Sequence, residues 1–168
     1  MYQRILVPVD GSSTASRGLA EAIHLAKLTG ARLRLAHVID ELSFALSMDA
    51  YAGYAGSWLE ELRGNARKLL EDGRAMAARE GVETDVVLLD SFRGTVHDQV
   101  IAEAQSWKAD LIVIGTHGRR GIGRWVMGSS AEHILRMSPV PVLLVRAPES
   151  AKTEHERFAL SSGELASQ

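Results

Sequence analysis

The chain has 168 residues, a formal net charge of −2 at neutral pH and no cysteine. This length suits one domain with its own core, and the near-neutral charge excludes a global basic field that would attract nucleic acid. The missing cysteine excludes disulfides, thiol catalysis and cysteine metal sites. No apolar run approaches the ~20 residues that span a bilayer, and the N-terminus lacks a secretory signal, so we expect a cytoplasmic protein with no membrane partner.

In chain order, strand-like and helix-like segments alternate. Five short runs rich in Val, Ile and Leu predict strands at 4–10, 32–40, 84–91, 110–115 and 141–146. All but the second are nearly continuous in apolar residues, which is typical of strands buried on both faces of a parallel sheet. Segments with apolar residues at helical spacing separate them, at 13–29, 57–80, 95–107 and from Ser129 to before Pro139. The alternation predicts an α/β fold, a doubly wound five-stranded parallel sheet with helices on both faces.

Two segments do not follow this alternation. Residues 41–56 form a long connection rich in Ala, Gly and Tyr, which fits either a contact surface beside a site or a tolerated long loop. Residues 149–168 are mostly polar and small, which favours a flexible tail over a docking segment that uses Phe158 and Leu160. We therefore expect one domain at 1–147 and a polar tail at 148–168.

A glycine-rich loop after the fourth strand, 115–130, reads GTHGRRGIGRWVMGSS. In an open α/β sheet, ligands bind at the carboxyl ends of strands where the strand order reverses. Asp10 stands at the end of the first strand, and the loop stands at the end of the fourth. If these strands are neighbours with their helices on opposite faces, Asp10 and the loop face each other across a crevice.

The residue types in this loop favour an anionic ligand. Gly115 and Gly118 lack Cβ, so the backbone can adopt positive φ and direct N–H groups at phosphate oxygens. Ser129 and Ser130 open the next helix, where free N–H groups and the positive end of the dipole favour an anion. Asp10 suits the hydroxyls of a ribose, or a metal ion beside phosphates. Together these features predict a nucleotide site.

Structural explanations of the same residues remain open. Ser129 as N-cap with Glu132 three residues later matches a capping box, and Asp10 is a candidate cap for the first helix. The loop also fits a plain flexible crossover. Two other nucleotide fingerprints are missing from the sequence, since it has no G-x-x-x-x-G-K-[ST] and its first βα turn, DGSSTAS, is not G-x-G-x-x-G.

The spacing G-x2-G-x9-G-[ST], met by Gly115, Gly118, Gly128 and Ser129, resembles the nucleotide-binding signature of the universal stress protein family. The resemblance extends over residues 2–147 through four further segments, RILVPVDGS, HVID, ADLIVIGTHGRRG and SPVPVLLVR. Within the family, the chain resembles the branch whose members bind ATP. The resemblance implies an adenine nucleotide α-hydrolase-like fold, and ATP with Mg²⁺ held through the phosphates or Asp10.

The resemblance also implies roles for individual residues. Asp10 would hold the ribose, Pro8 and Val9 would line the base side, and the Val38 backbone would meet adenine. The implied phosphate-binding residues are Gly115, Gly118, Gly128, Ser129 and Ser130, with Thr116, His117 and Arg119 alongside. Ile114 is a further residue of the implied ATP site. The family pairs through its last strand, so we expect a homodimer through Val140 to Arg146, which would cover an exposed apolar edge.

The sequence favours binding over catalysis. Hydrolysis needs a positioned water and a group that stabilises charge on the phosphates, and the loop offers no obvious general base, so we expect slow turnover or none. The expected function is a nucleotide-dependent stress-response regulator. The alternatives are a slow Mg²⁺-dependent ATPase or phosphoryl-transfer enzyme that uses Arg119 and His117, and an interaction protein that does not bind nucleotide.

Histidine spacing in the sequence does not predict a metal site. His97 and Asp98 are adjacent on a predicted helix, so we do not expect them to face each other as a dyad. The helix dipole explains an acidic residue at position 98.

Overall fold

A computed structural model of the chain describes residues 1–39, 55–90, 94–116 and 128–146. The predicted tail and most of the predicted long connection lie outside the described residues. The elements in chain order are β1 (Arg4–Pro8), α1 (Ser13–Thr29), β2 (Arg32–Val38), α2 (Ala55–Arg79), β3 (Thr84–Leu89), α3 (Val96–Ser106), β4 (Leu111–Gly115), α4 (Ser129–Met137) and β5 (Val142–Val145). Every predicted element is present, and α2 begins two residues earlier than predicted.

The five strands form one parallel sheet with the order β3-β2-β1-β4-β5. β1 lies at the centre, where Pro8 pairs with Ala36 of β2 and Leu6 pairs with Ile112 of β4. Strands β2 and β3 therefore extend the sheet on one side of β1, and strands β4 and β5 extend it on the other side. The prediction of a doubly wound parallel sheet is confirmed.

Alternate side chains along the strands pack into two separate hydrophobic cores, one on each face of the sheet. Ile5 and Val7 of β1 pack with Leu19 of α1 and Leu70 of α2 on one face. Leu6, on the opposite face, belongs to a second core with residues of α3 and α4, among them Val100 and Ile134. Because period-two alternation places neighbouring side chains on opposite faces, helices cover both sides of the central strands.

The edge strands are less buried than the sequence predicts. β3 is half-buried along its whole length, and Leu143 of β5 is 36% exposed. The expectation that β3 and β5 are buried on both faces is wrong, because a continuous apolar run does not tell an edge strand from a central one. The inner strand β2, by contrast, carries two arginines. Arg34 is accommodated by a salt bridge to Glu103 at 2.8 Å and by stacking over the Trp107 ring at 4.8 Å.

Among the described residues, no helix combines the length and the apolar character needed to cross a membrane.

Candidate functional site at the carboxyl edge of the sheet

The carboxyl ends of β1 and β4 are adjacent at the centre of the sheet. The chain leaves β1 into α1, which packs on one face, and leaves β4 toward α4, which packs on the other. The strand order therefore reverses between β1 and β4, and this is where open α/β sheets form a crevice for ligands. The predicted site residues Asp10 and Thr116 follow these two strands.

The two ends of the glycine-rich loop are joined at the end of β4. The Thr116 N–H donates to the Val145 carbonyl at 3.0 Å, and the Gly128 N–H donates to the Thr116 carbonyl at 2.9 Å. Residues 117–127, with the predicted site residues His117, Gly118 and Arg119, lie outside the described residues. These bonds bring the beginning of α4 directly beside the end of β4.

Helix α4 begins at Ser129, with Gly128 as its N-cap in an extended conformation (φ −58°, ψ 139°). The Glu132 N–H donates to the Gly128 carbonyl at 3.0 Å, and no side chain of the described residues caps this helix. The capping box expected from Ser129 and Glu132 is therefore wrong, because Ser129 already lies inside the first turn. The N–H groups of that turn carry the partial positive charge of the helix end.

Gly115 serves a different purpose from the one its sequence context suggests. It is not among the positive-φ glycines, so the expectation of a left-handed backbone at this position is wrong. A Cβ on Gly115 would lie 2.7 Å from the backbone carbonyl carbon of Thr14 and 2.8 Å from its oxygen. Gly18 of α1 also lies near this point, although its Cβ would be 3.4 Å from the Gly115 nitrogen, an ordinary contact distance. Glycine at 115 therefore lets β4 pack directly against the start of α1.

Asp10 is fixed in the turn between β1 and α1. Its Oδ1 accepts a hydrogen bond from the Ser12 N–H at 2.9 Å, and Gly11 takes a positive φ of 80° between them. The N-cap of α1 is Ser12, whose Oγ accepts from the Ala15 N–H at 3.1 Å. The alternative that Asp10 caps α1 is thus wrong, and its carboxylate instead shapes the turn at the crevice.

The three residues predicted to meet the base lie at the same edge, together with Ile114 of the predicted ATP site. Pro8 and Val38 are half-buried at the ends of β1 and β2, whereas Val9 and Ile114 are buried. Ile114 and Val38 both belong to the core under α3 and α4, which places them on one face of the sheet. The structure thus gathers these four residues, together with Asp10, along the carboxyl ends of three neighbouring strands.

Sequence reasoning missed His37. This β2 residue is 7% exposed, and its Nδ1 lies 2.7 Å from the carbonyl oxygen of Val9. The Val9 N–H in turn donates to the Ala36 carbonyl at 2.8 Å. The signal in the sequence was a single histidine inside the apolar run RLRLAHV, which marks a buried polar group that needs a partner.

A pair of histidines lies between the N-terminal parts of α3 and α4. The rings of His97 and His133 stack with centroids 4.3 Å apart, and His133 Nδ1 lies 3.0 Å from the Ser129 carbonyl oxygen. His97 Nε2 is 4.0 Å from Asp98 Oδ1, too far for a hydrogen bond, which agrees with the expectation that the two form no dyad.

Asp98 completes a capping box with Thr95. Its Oδ2 accepts from the Thr95 hydroxyl at 2.7 Å and from the Thr95 N–H at 3.0 Å. The hydroxyl bond, followed by the backbone bond, lowers the pKa of the Asp98 carboxyl from its ordinary value. This specific contact, in addition to the helix dipole, explains an acidic residue here. Across the described ranges, no group of three or more His, Asp or Glu side chains is arranged to hold a metal ion.

The fold and this crevice define a class of α/β proteins that bind ligands at a strand-order reversal. A model of the universal stress protein family matches residues 1–146, and the chain belongs to this family. It is 32% identical over 152 residues to universal stress protein MJ0531 of Methanocaldococcus jannaschii, an alignment that covers 89% of this chain and 85% of the relative. The solved structure of a family member from Burkholderia pseudomallei is 33% identical with a TM-score of 0.69, covering 87% of this chain and 97% of that one.

Two solved relatives carry adenine nucleotides. The universal stress protein from Archaeoglobus fulgidus in complex with dAMP is 25% identical, with a TM-score of 0.63 over 86% of this chain and 98% of that one. A universal stress protein in complex with cAMP is also 25% identical, with a TM-score of 0.60 over 86% of this chain and 97% of that one. Adenine nucleotides are thus ligands of structurally similar members of the family.

Proposed function

We propose that this chain binds ATP, with Mg²⁺, in the crevice between the ends of β1 and β4. The observation that carries the proposal is the beginning of α4. Its first turn has no side-chain cap among the described residues, and the Gly128–Thr116 hydrogen bond holds it beside the end of β4. A helix start of this kind favours an anionic group such as phosphate. The dAMP and cAMP complexes of relatives support an adenine nucleotide as the ligand.

In this proposal, the residues divide into three groups. Asp10 accepts hydrogen bonds from the ribose hydroxyls, and Pro8, Val9 and Val38 line the base. The phosphates lie at the start of α4 and along the glycine-rich loop, within reach of Gly118, Thr116, His117, Arg119, Gly128, Ser129 and Ser130. Ile114 and Gly115 support this arrangement from the end of β4. Mg²⁺ is held through the phosphates, and Asp10 is the carboxylate of the β1–α1 turn that can contribute to holding it.

We further propose that the protein is a cytoplasmic homodimer that regulates its partners according to bound nucleotide. The pairing surface is edge strand β5 with its flanks, Val140 to Arg146. Leu143 is exposed on this strand, and an exposed apolar edge is a surface that native proteins usually cover. Residues 1–147 carry the function, with 148–168 as an appended tail.

Binding without fast turnover is the proposal that the chemistry supports. Phosphoryl transfer requires a group that positions the attacking nucleophile, usually beside a metal. The two candidates for the alternative of a slow ATPase, His117 and Arg119, lie outside the described residues. A slow release of phosphate that is lost in the Arg119→Ala variant would favour the alternative.

Calorimetric titration with a panel of nucleotides tests the proposal. We expect ATP to bind more tightly than AMP because the phosphates contact the start of α4, and we expect GTP to bind poorly because the base is held by shape. Equal affinity for ATP and AMP would contradict the placing of the phosphates. For the dimer, sedimentation of the parent beside Leu143→Glu should show the variant as a monomer.

A further inference from the structure

We infer that His37 is a positioning residue that holds the ribose-binding turn in place, an inference that rests on the proposed function. His37 lies on β2, one residue beyond the last pair of the β1–β2 register, and its side chain is buried. Its Nδ1 is 2.7 Å from the carbonyl oxygen of Val9, the residue immediately before Asp10. A contact this short fixes the backbone from which the Asp10 side chain departs.

The direction of this hydrogen bond follows from the acceptor. A carbonyl oxygen can only accept, so Nδ1 of His37 must carry the proton. The bond therefore needs a hydrogen on Nδ1, which both the Nδ1–H tautomer and the doubly protonated ring supply. A leucine at this position would fill part of the space and leave the Val9 carbonyl without this partner, which is costly for a buried backbone group.

The turn is then held from two sides. On the β2 side, Val9 donates its N–H to the Ala36 carbonyl at 2.8 Å and accepts from His37 at its own carbonyl. On the α1 side, Asp10 Oδ1 accepts from the Ser12 N–H at 2.9 Å. The Ser12 bond fixes the carboxylate, whereas the His37 bond fixes the peptide that carries it. The loss of the His37 bond therefore releases the peptide that joins Val9 to Asp10, while the bond from the Val9 N–H to the Ala36 carbonyl still holds Val9 against β2.

This separation gives a sharp test with two ligands, ATP and 2′,3′-dideoxy-ATP, each with Mg²⁺. In the parent, we expect ATP to bind about tenfold or more tightly than the dideoxy ligand, because hydrogen bonds to a charged group are the stronger kind. In His37→Leu, we expect this preference to fall to about twofold or less, with the affinity for the dideoxy ligand within about twofold of the parent. The side-chain amide of His37→Asn can reach the Val9 carbonyl in the manner of Nδ1, so this variant should keep most of the preference.

The parent protein offers a second readout that does not depend on how the variants fold. Nitrogen chemical shifts of the His37 ring in the nucleotide-free protein should show the proton on Nδ1 at neutral pH. A ring with its proton on Nε2 alone would overturn the inference.

The outcomes separate the two claims. A parent without affinity for ATP overturns the proposed function, and the role of His37 falls with it. A parent that binds both ligands equally removes the ribose role of Asp10 and the positioning role of His37, while ATP binding stands. A His37→Leu variant that folds and keeps the full preference for ATP overturns the His37 inference alone.

Discussion

Helices α3 and α4 start on the same face of the sheet, yet their first turns are built differently. At α3, the Thr95 hydroxyl accepts from the Asp98 N–H at 3.3 Å, and the Asp98 carboxylate accepts in return from Thr95. At α4, the N-cap is Gly128, and no side chain of the described part of the chain caps the helix. The first N–H groups of α3 thus have side-chain partners in the chain itself, whereas the described side chains supply none to the first N–H groups of α4.

The two glycines at the ends of the loop differ in a similar way. Gly115 is required by packing, because the backbone of Thr14 occupies the space that a Cβ would need. Gly128 has φ and ψ that any residue can adopt, so its backbone conformation does not require glycine. In the proposed site, the signature therefore combines one glycine that the fold needs with one that leaves room for the ligand.

The largest expected effect is on stability, in Gly115→Val. The added side chain meets backbone atoms of Thr14 at under 3 Å, and we expect the free energy of unfolding to fall by about 3 kcal/mol, at the upper end for overpacking. Denaturant titration measures this. Gly64→Ala is the matched control, because nothing lies within 4 Å of its added Cβ, and it should be neutral or slightly stabilising. A Gly115→Val variant as stable as the parent would show that the close packing is not needed.

Gly128→Asp should give the next largest effect by turning α4 into a capped helix like α3. We expect the nucleotide-free protein to gain a few tenths of a kcal/mol in stability. The carboxylate would repel phosphate at the helix start, so ATP affinity should fall about 30-fold, or ~2 kcal/mol. Gly128→Asn introduces the cap without the charge and should weaken ATP binding less. Unchanged ATP affinity in both variants would remove the start of α4 from the binding site.

Thr95→Ala is the converse change, since it removes the cap of α3. We expect it to lower the free energy of unfolding by about 1 kcal/mol, the usual contribution of an N-cap, and to leave ATP affinity unchanged. Thr95→Ser keeps the hydroxyl and should behave like the parent. If Thr95→Ala instead abolished ATP binding, the contrast between the two helix starts would fail.

The smallest expected effect is the pH dependence of the α3 cap. The pKa of Asp98 is lowered in the folded protein, chiefly by the Thr95 hydroxyl, so the unfolded chain binds the proton first as the pH falls. The stabilising contribution is therefore complete above the ordinary carboxyl pKa and is lost as the pH falls through the folded value. The difference in melting temperature between the parent and Asp98→Asn should shrink toward acid pH. A difference that stays constant from neutral to acid pH would argue against this cause.

Much of the fold was readable from the sequence because local signals coincide. Gly30 ends α1 in the left-handed conformation, with φ 71°, where the apolar spacing also ends. The burial of β3 and β5 was not readable, because edge or central position depends on strand order and not on the strand itself. For the same reason, the sequence did not reveal the hydrogen bonds of Arg34 to Asp85 and Glu103, which lie 51 and 69 residues further along the chain.

The candidate site was predictable in position and less so in detail. The crevice was predicted on the condition that β1 and β4 are neighbours, and the two strands do pair. The reason for Gly115 was not predictable, because it depends on how closely α1 crosses β4. Nor was His37, since a histidine in a strand does not reveal its partner until the register places Val9 beside it.

The most direct test of the account is a calorimetric titration of ATP and Mg²⁺ into nucleotide-free parent, Gly118→Val and Gly64→Val. The account predicts that the parent and Gly64→Val bind with the same affinity. It also predicts that Gly118→Val, melting as the parent does, binds about 100-fold more weakly or not at all, because its side chain blocks the approach of backbone N–H groups to phosphate. A parent that does not bind ATP, or a Gly118→Val variant that binds as the parent does, would contradict the claim that this loop and the start of α4 form a phosphate site.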